Sequence, residues 1–308
     1  MPQNQTLVFA NAAEGLSIDP TAGQQDEGFY SDAGTDTTSI ASNVKNYVYE
    51  NGRRYHAYNE GELYLSPLYN PKTVLDLGTG TGIWAIDMAD KHHSAEVMGN
   101  DISPIQPNWV PPNCQFVIDD FEEDWAHKPD YFEFIHGRTI AGAVRDWPKL
   151  ISQAYTHTKP GGYLELQEGS VWTYSDDGSL KEGTPYMEFL HSMVQASEQA
   201  GIPLRVAHKL KGWMEDAGFQ DVVEKVYICP YSPWPQDKTL KEVGRYQSIQ
   251  LQGAVESYSL ALFTRVLGWS EEKAKANQNL VMKQIRSKDI HAYDKVYFVY
   301  GRKPEKRG

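Results

Sequence analysis

Residues 73–86 read TVLDLGTGTGIWAI: a short apolar run carrying an acid at Asp76, three glycines at alternate positions, then an apolar helical start. A strand that ends in glycines and passes into helical periodicity is the opening unit of a parallel sheet with crossover helices. Gly78 permits the tight turn, Gly80 lets a ligand approach the backbone closely, and Gly82 lets helix and strand pack together. In such a sheet the ligand sits beyond the carboxyl ends of the strands, and free N–H groups at the start of the helix favour an anionic group there.

The same alternation extends outward from this unit. The pattern predicts a helix over 82–91, strands over 96–100, 115–118 and 132–136, a helix over 147–158, and a strand over 163–167 after the Lys159-Pro160-Gly161-Gly162 turn. Met187, Leu190 and Val194 share a helical face before Gly201, and Val206, Leu210, Trp213, Met214 and Ala217 share another before Gly218. A strand over 221–229 is followed by a Pro-rich break to Pro235. Leu251, Val255, Tyr258, Leu262 and Val266 then mark a long helix, Ser270 starts another, and 295–300 forms a final strand. The fold class is α/β, a Rossmann-like sheet of seven strands with a helical lid insertion at about 234–290. Upstream, residues 1–38 read as a flexible arm, and a helix is expected over 38–50, capped by Ser39 with Ile40, Val44 and Tyr47 on one side.

Composition narrows the function. The 308 residues are 40% hydrophobic and 23% charged, without an apolar run near the roughly 20 residues that cross a bilayer. No basic residue precedes Leu7-Val8-Phe9-Ala10, so secretory-signal character is missing and a cytoplasmic location is expected. A net charge of −12 repels a phosphate backbone, which argues against nucleic acid as a partner. Cys114 and Cys229 stand alone and read as buried, reduced thiols. The nine histidines form no His-Glu-x-x-His pattern, so no metal site is expected.

The glycine loop also selects its ligand. A dinucleotide site wants G-x-G-x-x-G, whereas here the third glycine arrives one residue early and Ile83 fills its place. Asp76 would repel a pyrophosphate but suits a ligand with an ammonium and a sulfonium beside its carboxylate, which is S-adenosylmethionine. Asp101, 23 positions after Gly78, is placed to accept hydrogen bonds from ribose hydroxyls. Asp119, Asp120 and Phe121 end the third strand and are placed to meet the adenine edge and face.

These motifs resemble the class I S-adenosylmethionine-dependent methyltransferases, and within them the fungal LaeA-like group. The resemblance rests on Tyr49 to Tyr58, Val74 to Ala85, Asp101 to Pro107 with Trp109 to Asn113, Lys159 to Glu168, Leu262 to Trp269, and His291-Ala292-Tyr293. It implies a mostly parallel sheet whose last strand is antiparallel, S-adenosylmethionine as cofactor, cofactor contacts at Asp101 and Ile102, and a small-molecule methyl acceptor in fungal secondary metabolism. One departure stands out: members of the group usually carry a few tens of residues between the entry motif and the first strand, whereas Gly61 to Asn70 here runs almost directly into Pro71-Lys72-Thr73.

Methyl transfer is an in-line displacement governed by orientation, and a base serves only a hydroxyl or a protonated amine. His136, closing the fourth strand beside Gly137 and Arg138, is the first candidate base, and His56 the second. Tyr55 and Tyr58, among the six tyrosines between positions 47 and 69, and Arg138 are the candidate acceptor contacts. Glu165 and Glu168 flank a strand and rank below the histidines. Two alternatives stay open: a nuclear LaeA-like regulator with a protein partner, and a cofactor-binding fold used for a rearrangement.

Overall fold

The computed structural model describes residues 16–20, 47–50, 53–56, 70–285, 287 and 289–306. Its centre is a seven-stranded sheet. In chain order the strands are β3 (Thr73–Leu77), β4 (Glu96–Asp101), β5 (Cys114–Ile118), β6 (Phe132–Arg138), β7 (Thr158–Gly169), β8 (Gln220–Pro230) and β9 (Tyr293–Arg302). Their spatial order is β5-β4-β3-β6-β7-β9-β8. The first five run parallel, and β9 inserts antiparallel between β7 and β8. The expected class is therefore the observed one, with the antiparallel strand last in sequence.

The central strands β3 and β6 are buried on both faces, which is why β3 reads as a near-continuous apolar run. On one face Leu75, Leu77, Ile135, Leu164, Leu166 and Val299 pack under α2 (Trp147–His157) and α4 (Leu210–Asp216). On the other, Val74, Val97 and Phe134 pack under α1 (Ile83–Lys91). A second apolar cluster lies apart from the sheet: α3 (Pro185–Gln199), α5 (Lys238–Arg265) and α6 (Glu271–Ile285) bury Phe189, Val255, Phe263, Ala274 and Val281. α5 starts earlier than its apolar spacing indicates because Asp237 caps it, its side chain accepting from Leu240 N at 2.8 Å.

Three expectations change. Tyr47–Glu50 is not the end of a helix but β1, paired antiparallel with β2 (Arg53–His56). Asn51-Gly52 between them is the two-residue hairpin signal, and residues 38–46 of the expected helix lie outside the described residues. Residues 16–20, inside the stretch read as an arm, are pinned: Ile18 bridges Pro235, Asp19 N donates to Trp234 O at 2.9 Å, and Lys241 pairs with the Asp19 carboxylate. Finally, β7 begins at Thr158, so the Lys159–Gly162 turn becomes an irregularity within the strand, with Gly161 at φ 82°. Cys114 and Cys229 are both free, Cys114 buried and Cys229 half-buried.

Candidate functional site

β3 delivers the chain into a loop whose three glycines all take positive φ, 61° at Gly78, 59° at Gly80 and 82° at Gly82, the region where a side chain is strained. Each does something different. A Cβ on Gly82, the residue before α1, would stand 2.2 Å from the Phe116 ring of β5. A Cβ on Gly78 would stand 2.8 Å from Ile140 Cγ2 and 3.2 Å from Phe121. At Gly80 nothing lies within 4 Å, so this is the side of the loop left open.

The loop is held from beneath and from the side. Asp76 is 3% exposed; its Oδ1 accepts from His136 Nδ1 at 2.7 Å and its Oδ2 accepts from Thr79 Oγ1 at 2.6 Å. His136 stands beside Asp76 in the β3–β6 register, is 0% exposed, and stacks flat on Trp84 of α1 with ring centroids 3.8 Å apart. Because a carboxylate only accepts, Nδ1 carries the proton, and His136 Nε2 is left buried without a partner among the described residues. From the side, Asp101 Oδ2 accepts from Gly80 N at 2.8 Å and Oδ1 from Ser103 N at 2.9 Å. Gln106 Nε2 donates to Gly80 O at 2.6 Å.

Sequence reasoning missed Asn100. Its backbone carbonyl accepts from Thr79 N at 2.8 Å and its side-chain Oδ1 from Gly78 N at 3.3 Å, so two loop amides are satisfied by one buried residue. The available signal was a polar residue directly before the acid at the carboxyl end of a buried strand.

The structure gathers Asp76, Gly78, Gly80, Gly82, Asp101, Ile102, Asp119, Asp120, His136 and Arg138 at the carboxyl ends of the adjacent strands β5, β4, β3 and β6. Two of them, and Phe121 beside them, have surroundings the sequence did not indicate. Asp76 and His136 lie under the loop rather than along the crevice. Phe121, expected to meet the adenine face, is 6% exposed and belongs to the core cluster with Leu77 and Ile140, its ring 3.2 Å from the Cβ position of Gly78. Tyr55 and His56 lie in β2, where the backbone alone is described, and Tyr58 lies outside the described residues.

The arrangement fits a nucleoside that carries a cation. Gly80 leaves room against the backbone, Asp101 keeps free lone pairs, and Ile102, 66% exposed, joins the exposed Ile118, Asp119 and Asp120 as an apolar and acidic margin along β4 and β5. No group of histidine, cysteine and acid side chains able to hold a metal occurs among the described residues. No described helix is long and apolar enough to cross a membrane.

Beyond the carboxyl ends of β7 and β8 a different kind of site appears. The Thr173 hydroxyl is 2.8 Å from Tyr186 Oη and 3.1 Å from Tyr231 Oη, and all three residues are buried. Burial pushes both phenols above their ordinary ionisation range. Tyr186 and Tyr231 line a small cavity with Gln284, Ile285, Ile290 and Ala292, none of them charged. Nearby, burial pushes the Asp294 carboxyl up to about 6, against the hydrogen bonds it accepts from Ser170 and from Lys295 N.

Comparison with known proteins adds a family. A methyltransferase domain matches residues 50–224, more than half of the chain. The methyltransferase pytC of Aspergillus terreus is 38% identical over 303 residues, covering 89% of this chain and 93% of that one. The secondary metabolism regulator LAE1 of Cochliobolus heterostrophus is 32% identical over 301 residues, covering 86% and 97%. The probable methyltransferase tdiE of Emericella nidulans is 34% identical over 257 residues, covering 82% and 80%.

Proposed function

The chain belongs to the methyltransferase domain family as an S-adenosylmethionine-dependent methyltransferase, and on that premise we propose that it methylates an oxygen or nitrogen atom of a small molecule in fungal secondary metabolism. The observation that carries this reading is the loop side left open at Gly80, beside the acids that end β4 and β5.

Gly78, Gly80, Asp101, Ile102, Asp119 and Asp120 would hold the cofactor. When bound, it supplies an electrophilic methyl group on a sulfonium. Asp101 grips Gly80 N and still has lone pairs for ribose hydroxyls. Asp76 and His136 act one level down: paired and buried, they fix the loop's shape through Thr79. His136 is thus a positioning residue, because a side chain 0% exposed and stacked on Trp84 does not reach an acceptor. Arg138, half-buried at the end of β6, is the acceptor contact to test.

The acceptor enters on the β7–β8 side, where α3, α5 and α6 serve as a lid. With orientation supplying most of the rate, no base from the chain is needed for a nucleophile that is already deprotonated. The working location is cytoplasmic.

A second reading, a nuclear regulator acting with a protein partner, is favoured by the similarity to LAE1 over 97% of that protein. The two are separated by comparing metabolites of a deletion strain. Loss of one methyl from one compound supports the enzyme, whereas silencing of many products supports the regulator. The cofactor reading is tested by calorimetry with S-adenosylhomocysteine: binding is expected for the intact chain and a loss of tenfold or more for Asp101→Ala, and equal affinity in the two would sink it.

A further inference from the structure

Glu168, the last residue but one of β7, carries a carboxyl group 2% exposed to solvent, and none of the roles above uses it. Its Oε1 accepts from Ile140 N at 2.6 Å, and the carboxyl also takes a hydrogen bond from Ala141 N. These are the opening amides of the short 3-10 turn Ala141–Ala143, which has no side-chain cap from its own N-cap residue. The neighbouring strand therefore caps this turn from outside.

The turn needs holding. Thr139 sits at φ 56°, a conformation in which a β-branched residue is strained, and its N–H is fixed to Gln167 O at 2.9 Å. Two consecutive β7 residues thus clamp the three residues that leave β6. The clamp points at the glycine loop: Ile140 is buried, and its Cγ2 occupies the space a side chain on Gly78 would need, 2.8 Å from that Cβ position.

We propose that Glu168 is a positioning residue for cofactor binding, holding Ile140 against Gly78 so that the first turn of the glycine loop keeps its left-handed shape. This rests on the reading that the loop holds the cofactor. A buried carboxyl is an expensive way to fill space, and a Leu of similar length would pack there at less cost unless the two amides required an acceptor. Burial without a cationic partner also drives the Glu168 carboxyl up to about 8, against the two amide bonds that lower it. Around neutral pH the group is therefore largely uncharged, and a glutamine can reproduce its acceptor.

The test measures S-adenosylhomocysteine binding by calorimetry on the full chain and on three variants, each also checked by thermal melting. Glu168→Leu should bind about tenfold more weakly or worse, having lost two amide acceptors. Glu168→Gln should return to within about threefold of the parent, because one acceptor oxygen is restored. Ile140→Ala keeps Glu168 and both amides but removes the group resting on Gly78, and should weaken binding by about tenfold, which keeps the idea testable if the Leu variant fails to fold. A folded Leu variant, or the Ile140→Ala variant, with parental affinity would overturn the proposal. So would a Gln variant as weak as the Leu variant. Absence of binding in the parent chain would instead remove the cofactor reading and leave the clamp standing as a feature of the fold.

Discussion

Beyond β3 and β4 the chain makes a site from its backbone, whereas beyond β7 and β8 it makes one from side chains. The first consists of three glycines in left-handed conformation, pinned by Asp101, Asn100 and Gln106. The second is a bridge of three hydroxyls contributed by Thr173, Tyr186 and Tyr231, roofed by α6. Backbone is the same in every residue, so a backbone site can be kept for one ligand across many chains. A side-chain site changes with each substitution, as acceptor choice requires. The two should respond separately to mutation, and the following outcomes would break or sharpen that division.

The largest effect is expected beneath the loop. His136→Ala strands the Asp76 carboxylate with Thr79 alone and opens space against Trp84, a loss of about 3–5 kcal/mol in unfolding free energy together with weaker cofactor binding. If the variant keeps its stability and cofactor affinity yet loses turnover, His136 is a base after all. Gly82→Ala follows, at about 3 kcal/mol from the collision with Phe116 and the positive φ, read as a melting midpoint lower by roughly 6 °C or more. Gly80→Ala, with open space around it, should cost about 1 kcal/mol in stability while cutting cofactor affinity at least tenfold; unchanged affinity would mean that the open side faces no ligand.

On the other side, Thr173→Val leaves two buried phenols without their bridge and should cost about 1–3 kcal/mol. Cofactor affinity should stay at the parental level while the KM for the acceptor changes, and a joint loss of both would erase the division between the halves. A last effect is in pH. Glu168 holds its proton to about 8 in the folded chain but ionises near 4.5 when unfolded, so its contribution is full below about 4.5 and declines as pH rises to 8. Asp294 acts in the same sense between 3.8 and about 6. Melting curves from pH 5 to pH 8 should therefore fall less steeply in Glu168→Gln than in the parent chain.

What the sequence disclosed follows the same division. Thr73–Leu77 with its glycines, and the strands and helices after it, were legible because each is a local pattern bounded by a turn residue. The strand pattern put Asp101 at the end of β4, where it accepts from Gly80 N. The pairing of Asp76 with His136 was not legible, since it joins positions 60 apart and exists through the β3–β6 register. The burial of Phe121 in the cluster with Leu77 and Ile140 was not legible, since its position after β5 does not decide which way its ring packs. The β1–β2 hairpin was written in Asn51-Gly52 but was masked by helical spacing upstream.

The place of β9 also has a consequence for synthesis. β8 is complete at Pro230, yet in the sheet it is bonded to β9, which starts at Tyr293 after α5 and α6. On the ribosome β8 therefore waits, with its ladder groups unpaired, while more than sixty further residues are made. Those two helices are the only large elements that emerge in the interval, so their early collapse onto one another would shield the waiting strand from other nascent chains.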